Sequence, residues 1–184
     1  MNKNLTAKIE SQEELIKKAI LLLPPTLVAA QKFEQSFCEG KNYPGVDRAT
    51  VYLEAIFFLL HLIDRKIFGL VGPEGREIVM NKLFMEIKED SLARVESAKR
   101  QEMEGIMTST YYLRQREYAN YVWRKEDDTG PKGELLWEFG KIMANMLDKP
   151  KDGLIITKAL ITMSLTLKYS FPDVEEYFND SKDG

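Results

Sequence analysis

The chain has 184 residues, of which 44% are hydrophobic and 30% are charged, and its formal net charge is -3. This length suits a single domain with a sizeable core, and the composition is that of an ordinary globular protein. The mild negative charge gives no support to broad nucleic-acid binding. The most apolar stretches, Val51–Ile63 and Leu154–Leu167, are too short to span a membrane, so the sequence predicts a soluble protein.

The N-terminal part of the chain is predicted to form two helices. Ser11 and Glu14 have the spacing of a capping box, which marks the start of the first helix. Pro24 and Pro25 are expected to end it, because proline has no backbone N–H to donate and restricts the residue before it. A second helix is predicted over about 26–38.

A third and a fourth predicted helix flank a glycine–proline break. Asp47 is placed to cap a helix over about 48–70. Gly72 and Pro73 are expected to end that helix and start the next, because proline is favoured at the first helical position. The buried face of the fourth helix is predicted from the helical spacing of Val79, Leu83 and Ile87.

The longest predicted helix covers about 91–124 and would be about 50 Å long if it were unbroken. That length predicts a kink near Gly105–Ser109, or an arm that reaches beyond the core. A loop is predicted at Glu126–Gly133, and a further helix over about 134–147.

The last long segment, 154–171, fits the pattern of a strand as well as that of a helix. We predict a helix, because no second strand-like segment exists to pair with it and an isolated strand leaves its backbone groups without partners. Asp152 would cap this helix and Pro172 would end it.

Together these elements predict an all-α fold, a single-domain bundle of about six or seven helices over residues 1–184, with frayed ends at 1–10 and 180–184. The one cysteine, Cys38, cannot form an intramolecular disulfide. Because the polar N-terminus also lacks a secretory pattern, the sequence predicts a cytoplasmic protein.

A polar stripe interrupts the apolar third helix. Glu54 and the only histidine, His61, are seven residues apart, which places them within about 20° of each other on one helix face. Arg65 lies one turn further on. These three side chains would line a ligand-binding pocket between helices, completed by Tyr111 or Tyr118. The simpler interpretation is a narrow stripe that meets water or is satisfied by a neighbouring helix.

A metal site has weaker support in the sequence. Its donors would be the only histidine and carboxylates such as Glu86, Asp90 or Glu104, but nothing in their spacing selects them. We therefore predict neither a metal nor a cofactor.

The segment Tyr111–Lys125 interleaves aromatic residues with basic ones, and this pattern suits contact with nucleic acid or phosphate. Its basic residues are Arg114, Arg116, Arg124 and Lys125. Tyr111 and Tyr118 also share one helix face with Met107, so packing in a core or an interface explains the aromatic residues more simply.

The C-terminal segment 154–167 is apolar almost all round and needs cover on most of its sides. A single bundle of this length could supply that cover internally, and a symmetric dimer could supply it as well, because one helix face can bury itself against its own copy. No nucleophile elbow, phosphate-binding loop or paired CxxC motif is present. We therefore expect a protein that acts by association, with itself or with another protein, rather than by catalysis. The alternative is a small-molecule-binding protein or enzyme with its pocket at Glu54, His61 and Arg65.

Overall fold

The computed structural model describes residues 11–39, 47–93, 95–121 and 133–179. Over these residues the fold is all-α, as predicted, and has no strand. Its helices are α1 (Gln12–Cys38), α2 (Arg48–Leu92), α3 (Ser97–Ala119), α4 (Gly133–Met146), α5 (Gly153–Ser170) and α6 (Val174–Asn179). The predicted frayed ends and almost all of the predicted loop at 126–133 lie outside the described residues.

α1 begins at its predicted capping box but does not end at the proline pair. The Ser11 hydroxyl accepts a hydrogen bond from the backbone N–H of Glu14, and the Glu14 carboxylate accepts one from the backbone N–H of Ser11. The helix then continues through Pro24 and Pro25 to Cys38. The prediction of two helices separated by the prolines is therefore wrong.

The exposed side of α1 explains why the helix continues. Pro24 and Pro25 leave the carbonyls of Ile20 and Leu21 without their usual donors inside the helix. Both of these residues have exposed side chains, so water reaches this side of the helix. The opposite face is buried along the length of α1, and its tertiary packing outweighs the local preference of the prolines.

α2 consists of two helical arms that meet at the predicted break. The carboxylate of Asp47 caps its start by accepting a hydrogen bond from the backbone N–H of Ala49. Gly72 has φ 73° and ψ -175°, a conformation that is open essentially to glycine alone. We call residues 48–71 the N-terminal arm and residues 73–92 the C-terminal arm.

The two arms of α2 turn back toward each other. The rings of Phe57 and Phe84 pack on the same residue, Tyr111, with centroid distances of 6.2 and 4.0 Å. In a straight helix these two phenylalanines would be about 40 Å apart. Arg76 also bridges the arms, since its guanidinium donates two hydrogen bonds of 2.6 and 2.8 Å to the carboxylate of Asp64.

α3 is shorter than the helix predicted over 91–124. α2 ends at Leu92, and after a turn α3 begins at Ser97, so the chain bends there and stays helical through 105–109. Among the described residues the longest helical span is therefore α2, which Gly72 divides into two arms, and the longest helix without such a break is α1. Past residue 121 the predicted helix lies outside the described residues. Among the described helices, α3 packs mainly against α2.

The C-terminal helices agree with their predicted positions. The Asp152 carboxylate accepts hydrogen bonds from the backbone N–H groups of Leu154 and Ile155, which caps α5 as predicted. α4 and α5 approach closely at Gly140, where a Cβ atom would lie 2.8 Å from the carbonyl oxygen of Ile156. The helical choice for 154–171 is confirmed.

The core lies between α1, α2, α4 and α5. Its centre is aromatic: the Phe139 ring of α4 lies 5.3 Å from Phe33 of α1 and 4.5 Å from Phe58 of α2. None of the described helices combines the length and the apolar character needed to cross a membrane.

Candidate functional site

Glu54 lies where the N-terminal arm of α2 meets α3, and it is only 4% exposed. Its Oε1 accepts hydrogen bonds from Nε of Arg114 at 2.6 Å and from the hydroxyl of Tyr118 at 3.2 Å. Arg114 donates a further hydrogen bond of 2.7 Å to Glu117. The carboxylate of the predicted stripe is thus balanced by a cation from α3.

Burial sets the electrostatics of this ion pair. It raises the pKa of Glu54, and the hydrogen bond from Arg114 opposes that shift. Burial also acts to lower the pKa of Arg114, but the hydrogen bond and charge of Glu54 outweigh it, so the pKa is raised. Arg114 therefore favours the charged form of Glu54, and removal of either partner would leave the charge of the other without its ion pair inside the protein.

His61 is hydrogen-bonded through both ring nitrogens. Nδ1 lies 3.1 Å from Oε1 of Gln115, and Nε2 lies 3.0 Å from Nε of Arg65. Because a guanidinium only donates, Nε2 must accept and the ring proton belongs on Nδ1. Burial lowers the pKa of His61 to about 4, although the hydrogen bond to Gln115 opposes the shift. At neutral pH the imidazole is therefore uncharged, and its lone pair is already engaged.

Arg65 extends the stripe to the C-terminal end of α3. Its Nη2 donates to the carbonyl of Tyr121 at 3.0 Å and to that of Ala119 at 3.4 Å. Ala119 is the last residue of α3 and Tyr121 follows two residues later. The last carbonyls of a helix have no partner inside the helix and carry partial negative charge, so a cation at this end stabilises them. Burial lowers the pKa of Arg65. This guanidinium therefore caps α3 while it holds the imidazole of His61.

The two predicted tyrosines occupy different parts of the α2–α3 contact. Tyr118 is fully buried, and its ring lies 5.2 Å from Phe58 and 5.4 Å from His61. Tyr111 stacks on Phe84 of the C-terminal arm of α2. Burial raises the pKa of both phenols. The structure thus brings Tyr118 into contact with the stripe, whereas Tyr111 packs against both arms of α2.

Sequence reasoning missed several residues of this contact. The sequence predicts Arg114 as part of a basic segment suited to nucleic acid, whereas in the fold it pairs with Glu54. Gln115 carries no charge and so gave no signal, yet its amide also donates to the carbonyl of Phe57 at 3.2 Å. For Asp64 and Arg76 the available signal was a pair of opposite charges on either side of the Gly72 break.

The polar groups of the stripe have protein partners, so the arrangement as built joins α2 to α3. In the part of the chain that the structure describes, no three His, Cys, Asp or Glu side chains are grouped closely enough to hold a metal ion. Two of the carboxylates considered as metal donors are paired instead, Glu86 with Lys82 and Glu104 with Lys88.

The basic and aromatic segment is divided by the fold. Arg114 is turned toward Glu54, whereas Arg116 is exposed. Arg124 and Lys125 lie outside the described residues. Tyr111, Tyr118 and Met107 are buried, which confirms the packed face that the spacing predicts.

α5 carries a row of exposed apolar side chains on the side away from the core. Leu154, Ile161, Leu165 and Tyr169 are 81%, 51%, 52% and 68% exposed. Helical spacing places them within about 80° of one another over a length of about 22 Å. We call these four residues the outer face of α5.

The charged side chains of α5 are two lysines, which lie beside its outer face. The helix contains no acidic residue and two lysines. The ammonium group of Lys158 donates to the carbonyl of Glu39 at 2.9 Å and lies over the ring of Phe37, so it is directed toward α1. Lys168 lies over the ring of its neighbour Tyr169.

Comparisons with protein-family models, with curated proteins and with solved structures each found no match.

Proposed function

We propose that the protein acts by association with a second copy of itself through the outer face of α5. The observation that carries this proposal is the row Leu154, Ile161, Leu165 and Tyr169, which is exposed on a helix whose other side belongs to the core. Scattered exposed apolar residues are ordinary, but a continuous row along one helix is typical of an interface.

A second copy suits this face better than a charged partner does. The four residues of the row are uncharged, α5 has no acidic residue that would select a basic partner, and Lys158, which lies between Leu154 and Ile161, is engaged with the carbonyl of Glu39. A two-fold pair would set each apolar side chain against apolar side chains of the other copy, which is the arrangement of an isologous interface. The reducing environment of the cytoplasm would suit the single cysteine of such a protein.

The expected dimer is weak. Each of these side chains is already partly covered, so burying the remainder would gain on the order of 1 kcal/mol apiece. Association costs several kcal/mol in lost translational and rotational freedom. We therefore expect a dissociation constant in the micromolar to millimolar range.

Sedimentation of the purified chain tests the proposal. We expect a mass that rises above the 21.2 kDa of one chain as the concentration increases from the micromolar to the millimolar range. Leu165→Glu should abolish the rise, because it places a charge in the middle of the apolar row. Helical circular dichroism should be unchanged, since Leu165 is exposed.

The matched control is Leu21→Glu on α1, because Leu21 is 57% exposed and so comparable with Leu165 at 52%. This variant should associate as the natural sequence does. If the natural chain stays monomeric at every concentration, the proposal is overturned. Equal loss of association in both variants would show that the outer face of α5 is the wrong surface.

The ligand-binding alternative remains a prediction with less support. Glu54, His61 and Arg65 do gather with Tyr118, but their hydrogen-bonding atoms are engaged with α3. A ligand would have to replace those partners and displace part of α3.

A further inference from the structure

The chain's only histidine occupies the middle of a hydrogen-bonded relay that ends at α3. Gln115 of α3 accepts from Nδ1 of His61, Nε2 of His61 accepts from Arg65, and Arg65 donates to the carbonyl of Tyr121. The three donor–acceptor distances are 3.1, 3.0 and 3.0 Å. Each member therefore fixes the orientation of the next.

This relay tolerates only the neutral form of the imidazole. A proton added to His61 would occupy Nε2, the atom that accepts from Nε of Arg65. The hydrogen bond would become a contact between two donors, and two positive charges would stand at hydrogen-bond distance. Arg65 would have to withdraw, and the carbonyls at the end of α3 would lose the cation that caps them.

We propose that His61 is an acid-sensitive latch: its protonation releases Arg65 and opens the C-terminal turn of α3 from the N-terminal arm of α2. This device is independent of the outer face of α5. Opening would uncover the aromatic side chains that α3 covers on α2, among them Phe58, which packs against Tyr118.

The charges around His61 come from both arms of α2. Asp64 and Arg65 face it from its own arm and Arg76 from the C-terminal arm, while α3 contributes the neutral side chains of Gln115 and Tyr118. Burial and the two arginines oppose protonation, and Asp64 favours it. Arg76 donates two hydrogen bonds to Asp64, and these hold the carboxylate in place in the closed state.

The sign of the effect follows from the lowered pKa of His61. The closed state binds the proton with a pKa of about 4, whereas a released imidazole has its ordinary value of about 6.5. The closed state is therefore fully favoured above about pH 6.5 and loses that advantage as the pH falls toward 4. Full protonation of His61 would make opening more favourable on the order of 10²-fold.

Glu54, the other buried acid of this contact, acts in the opposite direction. Burial raises its pKa in the closed state, so the closed state takes up that proton more readily than the open one. Protonation of Glu54 therefore cannot imitate the opening that we assign to His61.

Nuclear magnetic resonance can follow the latch directly, because an isotope-labelled histidine gives the signal of one imidazole. We expect the Nδ1–H tautomer at neutral pH and a pKa near 4. Backbone amides of residues 115–119 should lose protection from hydrogen exchange as His61 is protonated, after correction for the intrinsic exchange rates. The loss should be on the order of 10²-fold relative to amides in the middle of α1.

His61→Gln is the matched control, because glutamine also donates and accepts hydrogen bonds but does not titrate in this range. In this variant, acidification should not cause the loss of hydrogen-exchange protection at residues 115–119 that we expect from protonation of His61. If the variant does not fold, the titration of the natural chain decides alone. A pKa near 6.5, an Nε2–H tautomer, no protonation down to about pH 3, or protonation that leaves α3 protected would each overturn the latch.

Discussion

The core between α1, α2 and α4 and the contact between α2 and α3 are built from different interactions. In the core, Phe33, Phe58 and Phe139 pack ring against ring with no polar partner required. Between α2 and α3, the pairs Glu54–Arg114 and His61–Gln115 depend on particular atoms at particular distances. Hydrophobic packing tolerates substitution by similar shapes, whereas a buried polar contact fails when one partner is removed.

The largest expected loss comes from the aromatic centre of the core. Phe139→Ala removes a fully buried ring that contacts both Phe33 and Phe58. We expect the free energy of unfolding, measured in urea, to fall by about 4 kcal/mol. The substitution loses the free energy gained by burying the ring, and the cavity that remains destabilises the core further. Phe139→Leu should cost clearly less. If both variants lost the same free energy of unfolding, the stability of the core would not depend on the volume and apolar area of this side chain.

The next largest effect separates the polar contact from the core. Arg114→Met leaves the carboxylate of Glu54 buried with only the hydroxyl of Tyr118, and we expect a loss of about 3 kcal/mol in the free energy of unfolding at neutral pH. Arg116→Met is the control, because Arg116 is exposed on the same helix. Its loss should be near zero.

The pH dependence of Arg114→Met sharpens this comparison. Without Arg114, the pKa of Glu54 in the folded state should lie still further above its unfolded value, because only the hydrogen bond from Tyr118 then opposes burial. Stability from such a group is present at low pH and lost as the pH rises. The deficit of the variant should therefore shrink on acidification. A deficit that stays constant with pH would show that Glu54 is not the cause.

Local signals in the sequence were enough to predict most helix ends. The capping box at Ser11, the caps at Asp47 and Asp152 and the break at Gly72 each depend on residues close in the chain. The proline pair misled because its effect depends on which side of α1 faces water. That information exists only once the helices pack together.

The candidate site was predictable only in part, for the same reason. Helical periodicity alone aligns Glu54, His61 and Arg65, and the structure does place them in one row at the α2–α3 contact. Their partners Arg114 and Gln115 lie more than fifty residues further along the chain. Choosing them requires the relative orientation of two helices, which no spacing in the sequence contains.

The smallest expected effect lies at the exposed end of the α2–α3 contact. Arg100 donates to Glu89 at 2.6 Å, but both side chains are about half exposed, at 46% and 61%. Water and salt screen such a pair, so Arg100→Gln should lower the free energy of unfolding by less than about 0.5 kcal/mol. Urea unfolding at low and high salt provides the measurement. A loss as large as that of Arg114→Met would mean that burial does not set the strength of these ion pairs, and the contrast between the two ends of the contact would fail.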